Sequence, residues 1–238
     1  FTLMGLILER SGMAEDLLDT VGQVFGPLRG GLALAVIFVG ALLAATTGVV
    51  AASVISMGLI SLPIMLRYGY DKRLAAGVIA ASGTLAQIIP PSLVLIIMAD
   101  QLGRSVGDMY QGAMIPGLVL TGLYVGYVAL VAVFKPAAAP ALPLEARTLR
   151  GGKLFLRVLT TLVPPLMLIF LVLGTIFLGV ATPTEGGAMG AVGGMAMALV
   201  RGKLDMPLLK HALEATARLS CFVLFILIGS TIFSFTFT

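Results

Sequence analysis

The chain has 238 residues, of which 59% are hydrophobic and only 11% charged, against roughly a quarter charged in soluble domains. So few charges cannot coat a soluble globule of this size, which excludes a cytosolic enzyme, a disordered chain and a disulfide scaffold. One cysteine, Cys221, allows no internal disulfide, one histidine, His211, allows no multi-histidine metal site, and the net charge of +4 bears on loop orientation in a membrane.

Charge-free intervals run from 30 to 66, 74 to 99, 109 to 134, 158 to 184, 186 to 200 and 219 to 238. Most of them approach or exceed the about 20 helical residues that a bilayer core requires. The composition therefore predicts an all-α, polytopic transmembrane helical bundle. The chain opens in apolar sequence with no signal-peptide pattern, and it reads as an interior part of a longer membrane protein. Lys and Arg favour cytoplasmic loops. The basic loops at 67–73, 135–157 and 201–218 are assigned to that side, and those near 104 and 183 to the other.

In chain order, Leu17, Leu18, Val21, Val24 and Phe25 share one helical face and predict an interfacial helix. The interval 30–66 is too long for one span and has no charged loop to divide it. Its middle, Ala44-Ala-Thr-Thr-Gly-Val-Val-Ala-Ala-Ser53, is built of small residues, and Gly48 can turn tightly. Length favours a hairpin of two arms. A single tilted span would instead suit the preceding loop, whose Glu9, Glu15, Asp16 and Asp19 outweigh Arg10 and Arg29. The tip threonines and Ser53 can either bind an ion or carboxylate or bond back to their own helix.

The interval 74–99 carries Ser82-Gly-Thr-Leu-Ala-Gln-Ile-Ile-Pro-Pro-Ser92 at its middle. Pro90 and Pro91 lack the N–H groups that would bond the carbonyls of Ala86 and Gln87, and each restrains the residue before it. One reading is a proline kink. The other is two half-helices, with freed carbonyls for a cation and a helix N-terminus for an anion, the arrangement used by secondary transporters. Pro164-Pro165, set among apolar residues, predicts a kink only.

The stretch Pro136–Pro143 reads as a flexible cytoplasmic linker. Thr182-Pro-Thr-Glu185 has the spacing of a capping box. Glu185 is also an acid between two apolar runs, so capping and ion binding both stay open. The glycine-rich helix after it suits close packing. Leu208, Leu209, Ala212 and Leu213 form a second interfacial face, and His211 among them reads as solvated. No metalloprotease, nucleophile-elbow or phosphate-loop motif is present and the spans hold no ionised base, so an enzyme is not expected. Nor does any interleaving of aromatic and basic residues point to nucleic acid.

Four stretches, taken together and in order, resemble the large membrane subunit of tripartite ATP-independent periplasmic (TRAP) transporters. They are Met4-Gly-Leu-Ile-Leu-Glu-Arg-Ser-Gly12; the Ala44–Ser53 hairpin with Gly58, Pro63 and Gly69-Tyr-Asp71; Ala81-Ser-Gly-Thr-Leu-Ala-Gln-Ile-Ile-Pro-Pro-Ser92; and Gly179-Val-Ala-Thr-Pro-Thr-Glu185. The Ala-Thr-Thr-Gly tip is similar to the branch labelled mannitol/chloroaromatic. The resemblance implies two inverted repeats, each with a re-entrant hairpin and a broken helix. On that plan 1–134 belongs to the first repeat, 135–153 is a cytoplasmic linker, and 154–238 begins a second repeat whose hairpin and Thr-Pro-Pro motif lie outside the chain.

It further implies sodium-driven, elevator-like uptake of organic acids through the bacterial inner membrane. A periplasmic binding protein would deliver the substrate and a small four-helix membrane subunit would support the large one; no cofactor is implied beyond sodium as coupling ion. By the same resemblance Thr46, Thr47, Gly48 and Ser53 form the hairpin tip. Ser82, Gly83, Thr84 and the Ala86 and Gln87 carbonyls help hold sodium. Pro90, Pro91 and Ser92 break the helix and aim its second half at a carboxylate. A transporter of the same plan without a binding protein and a non-transporting membrane scaffold are the alternatives.

Overall fold

The computed structural model of the chain describes residues 1–47, 50–147 and 151–237, and for side chains all of these but 44–47, 51–52, 144, 234 and 237. Among them it contains α-helices, short 3-10 turns and no strand. The helices are α1 (Thr2–Arg10), α2 (Met13–Phe25), α3 (Gly31–Thr47), α4 (Val50–Arg67), α5 (Lys72–Thr84), α6 (Leu93–Gln101), α7 (Val106–Phe134), α8 (Gly152–Phe177), α9 (Pro183–Val200) and α10 (Met206–Phe237). Three helices, at Val106–Phe134, Gly152–Phe177 and Met206–Phe233, are long and apolar enough to cross a membrane.

A helix that is apolar on every side must be enclosed. α3 is such a helix, and it is central: Ala33, Ala35, Val36, Ile37 and Val39 are all buried, and α1, α2, α4, α5 and α7 surround it. α3 and α4 pack together as two arms, and both feet are tied to one strap of chain. The Gly30 N–H donates to the Ala139 carbonyl at 2.9 Å, and the Asp71 N–H donates to the Ala138 carbonyl at 3.0 Å. The two ends of the interval 30–66 therefore lie side by side, which selects the hairpin over the single tilted span. Tyr70 locks the same corner, its buried hydroxyl accepting the Leu32 N–H at 3.2 Å and satisfying a donor that the first turn of α3 leaves open.

The Ala/Pro-rich stretch after α7, expected as a flexible linker, is docked instead. Besides the two hairpin feet it holds α2, with the Leu142 N–H bonded to the Gly26 carbonyl at 3.0 Å. Ala139 and Leu142 are buried. Its prolines remove donors from the strap, but its carbonyls remain free to accept from the hairpin.

The face of α2 expected at the membrane interface is also turned into the protein. Leu17, Leu18 and Val21 are buried in the main core, leaving Val24 exposed, because α3 and α8 offer an apolar surface that competes with lipid. Leu208, Leu209, Ala212 and Leu213 are not a separate interfacial helix either. They form the opening turns of the continuous α10, where Ala212 is buried against Leu6, Ile7 and Ala198. α8 runs unbroken through Pro164 and Pro165. In α9 the buried Gly186, Gly190 and Gly194 face Ile176 and Val172 of α8 and Met4 of α1, the close packing expected of that helix.

Candidate functional site

The helix beginning at Lys72 starts firmly. Asp71 caps it, its carboxylate accepting from the N–H groups of Arg73 at 2.9 Å and Leu74 at 3.1 Å. It does not reach Gln101. α5 ends at Thr84, a 3-10 turn spans Leu85–Gln87, and α6 begins only at Leu93. The interval 74–99 is thus two half-helices and not one kinked helix. The α-helix gives way to the 3-10 turn after Thr84, yet the Ile89 N–H still bonds the Leu85 carbonyl at 2.9 Å, so helical bonding stops where the proline donors are missing. The Pro90–Pro91 bond is cis. Ser92 is extended at the foot of α6, and its hydroxyl does not cap that helix. It reaches back across the break and donates to the Gln87 carbonyl at 2.7 Å, one of the two acceptors that the prolines deprive of a backbone donor.

The hairpin lies directly on the last turns before the break, and two glycines permit the contact. A Cβ on Gly40 of α3 would stand 2.6 Å from the Cβ of Ser82, and one on Gly83 would stand 2.2 Å from Val54 Cγ2 and 3.0 Å from Val54 Cα of α4. Neither pair of backbones could approach so closely with a larger residue. Ser82 is buried in this contact, and its hydroxyl is bonded to the Val78 carbonyl at 2.6 Å. Ser53 of α4 is buried.

Thr84 and Gln87, three residues apart, are exposed on the side of the break away from that contact; the Thr84 hydroxyl bonds the Ala81 carbonyl at 2.7 Å. Leu85, Ala86, Pro90, Pro91 and Ser92 are buried. Behind the break Gly117 of α7 faces Ile88 and Ile89. Gly48 lies outside the described residues, as do the side chains of Thr46 and Thr47. The structure thus brings Ser53, Ser82, Gly83 and the broken segment into one assembly of hairpin and half-helices. It leaves Thr182 and Glu185 elsewhere, at the start of α9.

At α9 the capping geometry is complete. The Thr182 N–H and hydroxyl donate to Glu185 Oε2 at 2.7 and 2.8 Å, and the Glu185 N–H donates to the Thr182 hydroxyl at 3.3 Å. The backbone bond from Thr182, then its hydroxyl bond, hold the exposed Glu185 carboxyl below its ordinary range. These bonds of Glu185 are those of a capping box.

Polar contacts at two acids, Glu9 and Asp16, were not legible in the sequence. Glu9, in the last turn of α1, accepts a hydrogen bond from Ser56 of α4, while its second oxygen, Oε2, is buried with no partner among the described residues. Asp16 of α2 receives Arg157 of α8 at 3.3 Å and Arg201 at the end of α9 at 2.9 Å. These contacts join residues more than 40 positions apart, and only the serine or arginine chemistry, not its partner, is visible locally.

A hairpin seated on a proline-broken helix is an arrangement found in secondary transporters. The chain belongs to the DctM component family of tripartite ATP-independent periplasmic transporters, whose family model matches residues 1–238. It is 31% identical to the C4-dicarboxylate TRAP transporter large permease protein DctM of Pseudomonas aeruginosa, over all of this chain and 54% of that protein. The counterpart of the same name in Rhodobacter capsulatus is also 31% identical, over 99% of this chain and 55% of its own length. The isethionate TRAP transporter permease protein DctMQ of Oleidesulfovibrio alaskensis is 33% identical over 82% of this chain and 30% of its own length. The chain therefore spans about half the length of the first two relatives. These relatives are named as permease proteins and not as enzymes, and family membership places the chain in the inner membrane.

Proposed function

We propose that this chain is part of the large subunit of a sodium-coupled secondary transporter that takes up organic acids. In this reading a periplasmic binding protein delivers the substrate, a small four-helix membrane subunit supports the large one, and the hairpin and broken helix travel together in an elevator-like motion. The observation that carries the reading is the hairpin seated, glycine to backbone, on the turn just before the Pro90–Pro91 break. Non-helical backbone at such a place is tolerated in a membrane only where it is enclosed or lines a cavity. Family membership supports the same reading, and two relatives are named for small organic anions.

The described arms of the hairpin have 17 and 18 residues, at the short end of the roughly 17–25 that a full crossing takes. In the assembly Ser82 and Gly83 hold hairpin and helix together. Thr84 and the Gln87 and Ala86 carbonyls are the candidate ligands for sodium, and by the family resemblance Thr46, Thr47, Gly48 and Ser53 complete the site from the hairpin. Ser92 fixes the break, so that the N-terminus of α6 faces the substrate carboxylate with its partial positive charge. Residues 1–134 belong to the first repeat, 135–153 link the two repeats on the cytoplasmic side, and 154–238 begin the second repeat.

The test is uptake of labelled organic acids by the full-length protein, reconstituted with its small subunit and binding protein, with and without an inward sodium gradient. Uptake should require both sodium and the binding protein. Thr84→Ala should weaken sodium dependence and Ser92→Ala should lower uptake. Sodium-independent uptake, or uptake without the binding protein, would refute the coupled tripartite reading; full activity in both variants would refute the site.

A further inference from the structure

Away from the hairpin, a groove of about 930 Å³ opens between α5 and α7. Its floor is apolar and buried, with Leu74 and Val78 on one side and Val128 on the other, while Leu130 and Phe134 stand exposed at its rim. Two basic residues, Arg73 and Lys135, line the same end, where α5 begins and α7 stops. Neither is in an ion pair among the described residues. Asp71 also lines this end, but its carboxylate already accepts the N–H groups of Arg73 and Leu74. Its charge therefore offsets the α5 N-terminus, and the two cations remain.

We propose that this groove is a binding site for an anionic phospholipid, with the phosphate between Arg73 and Lys135 and one acyl chain along α5 and α7. The dimensions suit it. From Arg73 to Ala81, the deepest α5 residue on the wall, is about 12 Å at 1.5 Å per helical residue, most of one leaflet of a hydrocarbon core about 30 Å thick. The charge suits it as well. Arg73 and Lys135 belong to the basic loops assigned to the cytoplasmic side, and basic pockets between membrane helices on that side match anionic head groups. A protein segment in the same place would have to bring its own acid to the two cations at the membrane edge. An anionic lipid brings one in every head group and is present all along the open side of the groove. Seated there, the lipid would brace α5 against α7 behind the broken helix.

The site can be read with a fluorophore on Gly77→Cys. Gly77 lines the groove, and an added Cβ there meets no heavy atom within 4 Å. The full-length protein, with Cys221→Ser and without other cysteines, is placed in vesicles of phosphatidylethanolamine and phosphatidylglycerol. The acyl chains of one lipid or the other are brominated as quenchers. Brominated phosphatidylglycerol should quench at least about fivefold more effectively than the same mole fraction of brominated phosphatidylethanolamine, given the usual gain from a basic residue near an anionic head group. Arg73→Gln with Lys135→Gln should abolish the difference, whereas Arg73→Lys with Lys135→Arg should keep it. Equal quenching by the two lipids, no quenching by either because protein covers the groove, or a preference that survives the double glutamine variant would each overturn the proposal.

Discussion

Replacing Gly83 by alanine tests whether the hairpin and broken helix form one packed unit. The new Cβ would lie 2.2 Å from Val54 Cγ2, 3.0 Å from Val54 Cα and 3.1 Å from Val54 N. The first contact is with a side chain that cannot swing far, because Val is stiff at χ1. The other two are with the backbone of α4, so relief requires the whole arm to move outward. Overpacking of this kind costs about 1–3 kcal/mol. Val54→Ala removes Cγ2 and leaves only the tighter-than-usual backbone contact, so it should rescue Gly83→Ala in part. The double variant should then be more stable than the sum of the two single losses by about 1 kcal/mol. The assay is thermal or denaturant unfolding of the full-length protein in detergent, with the parent, both single variants and the double variant measured together. A parental midpoint for Gly83→Ala, or strict additivity in the double variant, would show that α4 does not press on α5 as described.

Ser56→Ala should destabilise the protein by about 1.5–3 kcal/mol, because it removes the hydrogen bond that Glu9 receives and leaves a carboxylate with no partner. Glu9→Gln should cost less, since the amide carbonyl can still accept from Ser56; the same unfolding series distinguishes them, and equal losses would contradict the contact. Glu185 should make the stability of α9 depend on acid. Its folded pKa is lowered from the ordinary 4.5, so its contribution is complete above that value and is lost as the pH falls through the folded pKa below it. Glu185→Gln should therefore be less stable than the parent near pH 6, and the difference should narrow as the pH falls well below 4.5. A gap unchanged across that range would rule out the charged cap.

Much of this architecture is written locally. A charge-poor chain with long apolar intervals that do not alternate spans a bilayer as helices, since a barrel needs short alternating strands and a helix satisfies every backbone N–H and C=O within the segment. Thr182-Pro-Thr-Glu185 closes as a cap because its partners are three residues apart. The failure of the helix near Pro90 follows from two missing donors.

What the sequence left open were contacts between distant segments. Length favoured a hairpin at 30–66 over the single span that loop charge suggested, and the bonds from Gly30 and Asp71 to Ala139 and Ala138 decide for the hairpin. The amphipathic faces of α2 and early α10 carry the same periodicity whether lipid or protein covers them. Tertiary packing covered Leu17, Leu18 and Val21 of α2 and Ala212 of α10 with protein, and left Val24 and Leu213 exposed. The Pro136–Pro143 strap has the composition of a loose linker, yet its carbonyls met donors at the hairpin feet. The roles of Gly40 and Gly83 likewise required the facing residue, Ser82 or Val54, to be known. The sequence by itself determined the helices, the cap and the break, because these depend on bonds a few residues long. Tertiary structure alone decided which faces meet, because one apolar stripe can be buried equally well against several others, and only the shape of the assembled neighbours selects among them.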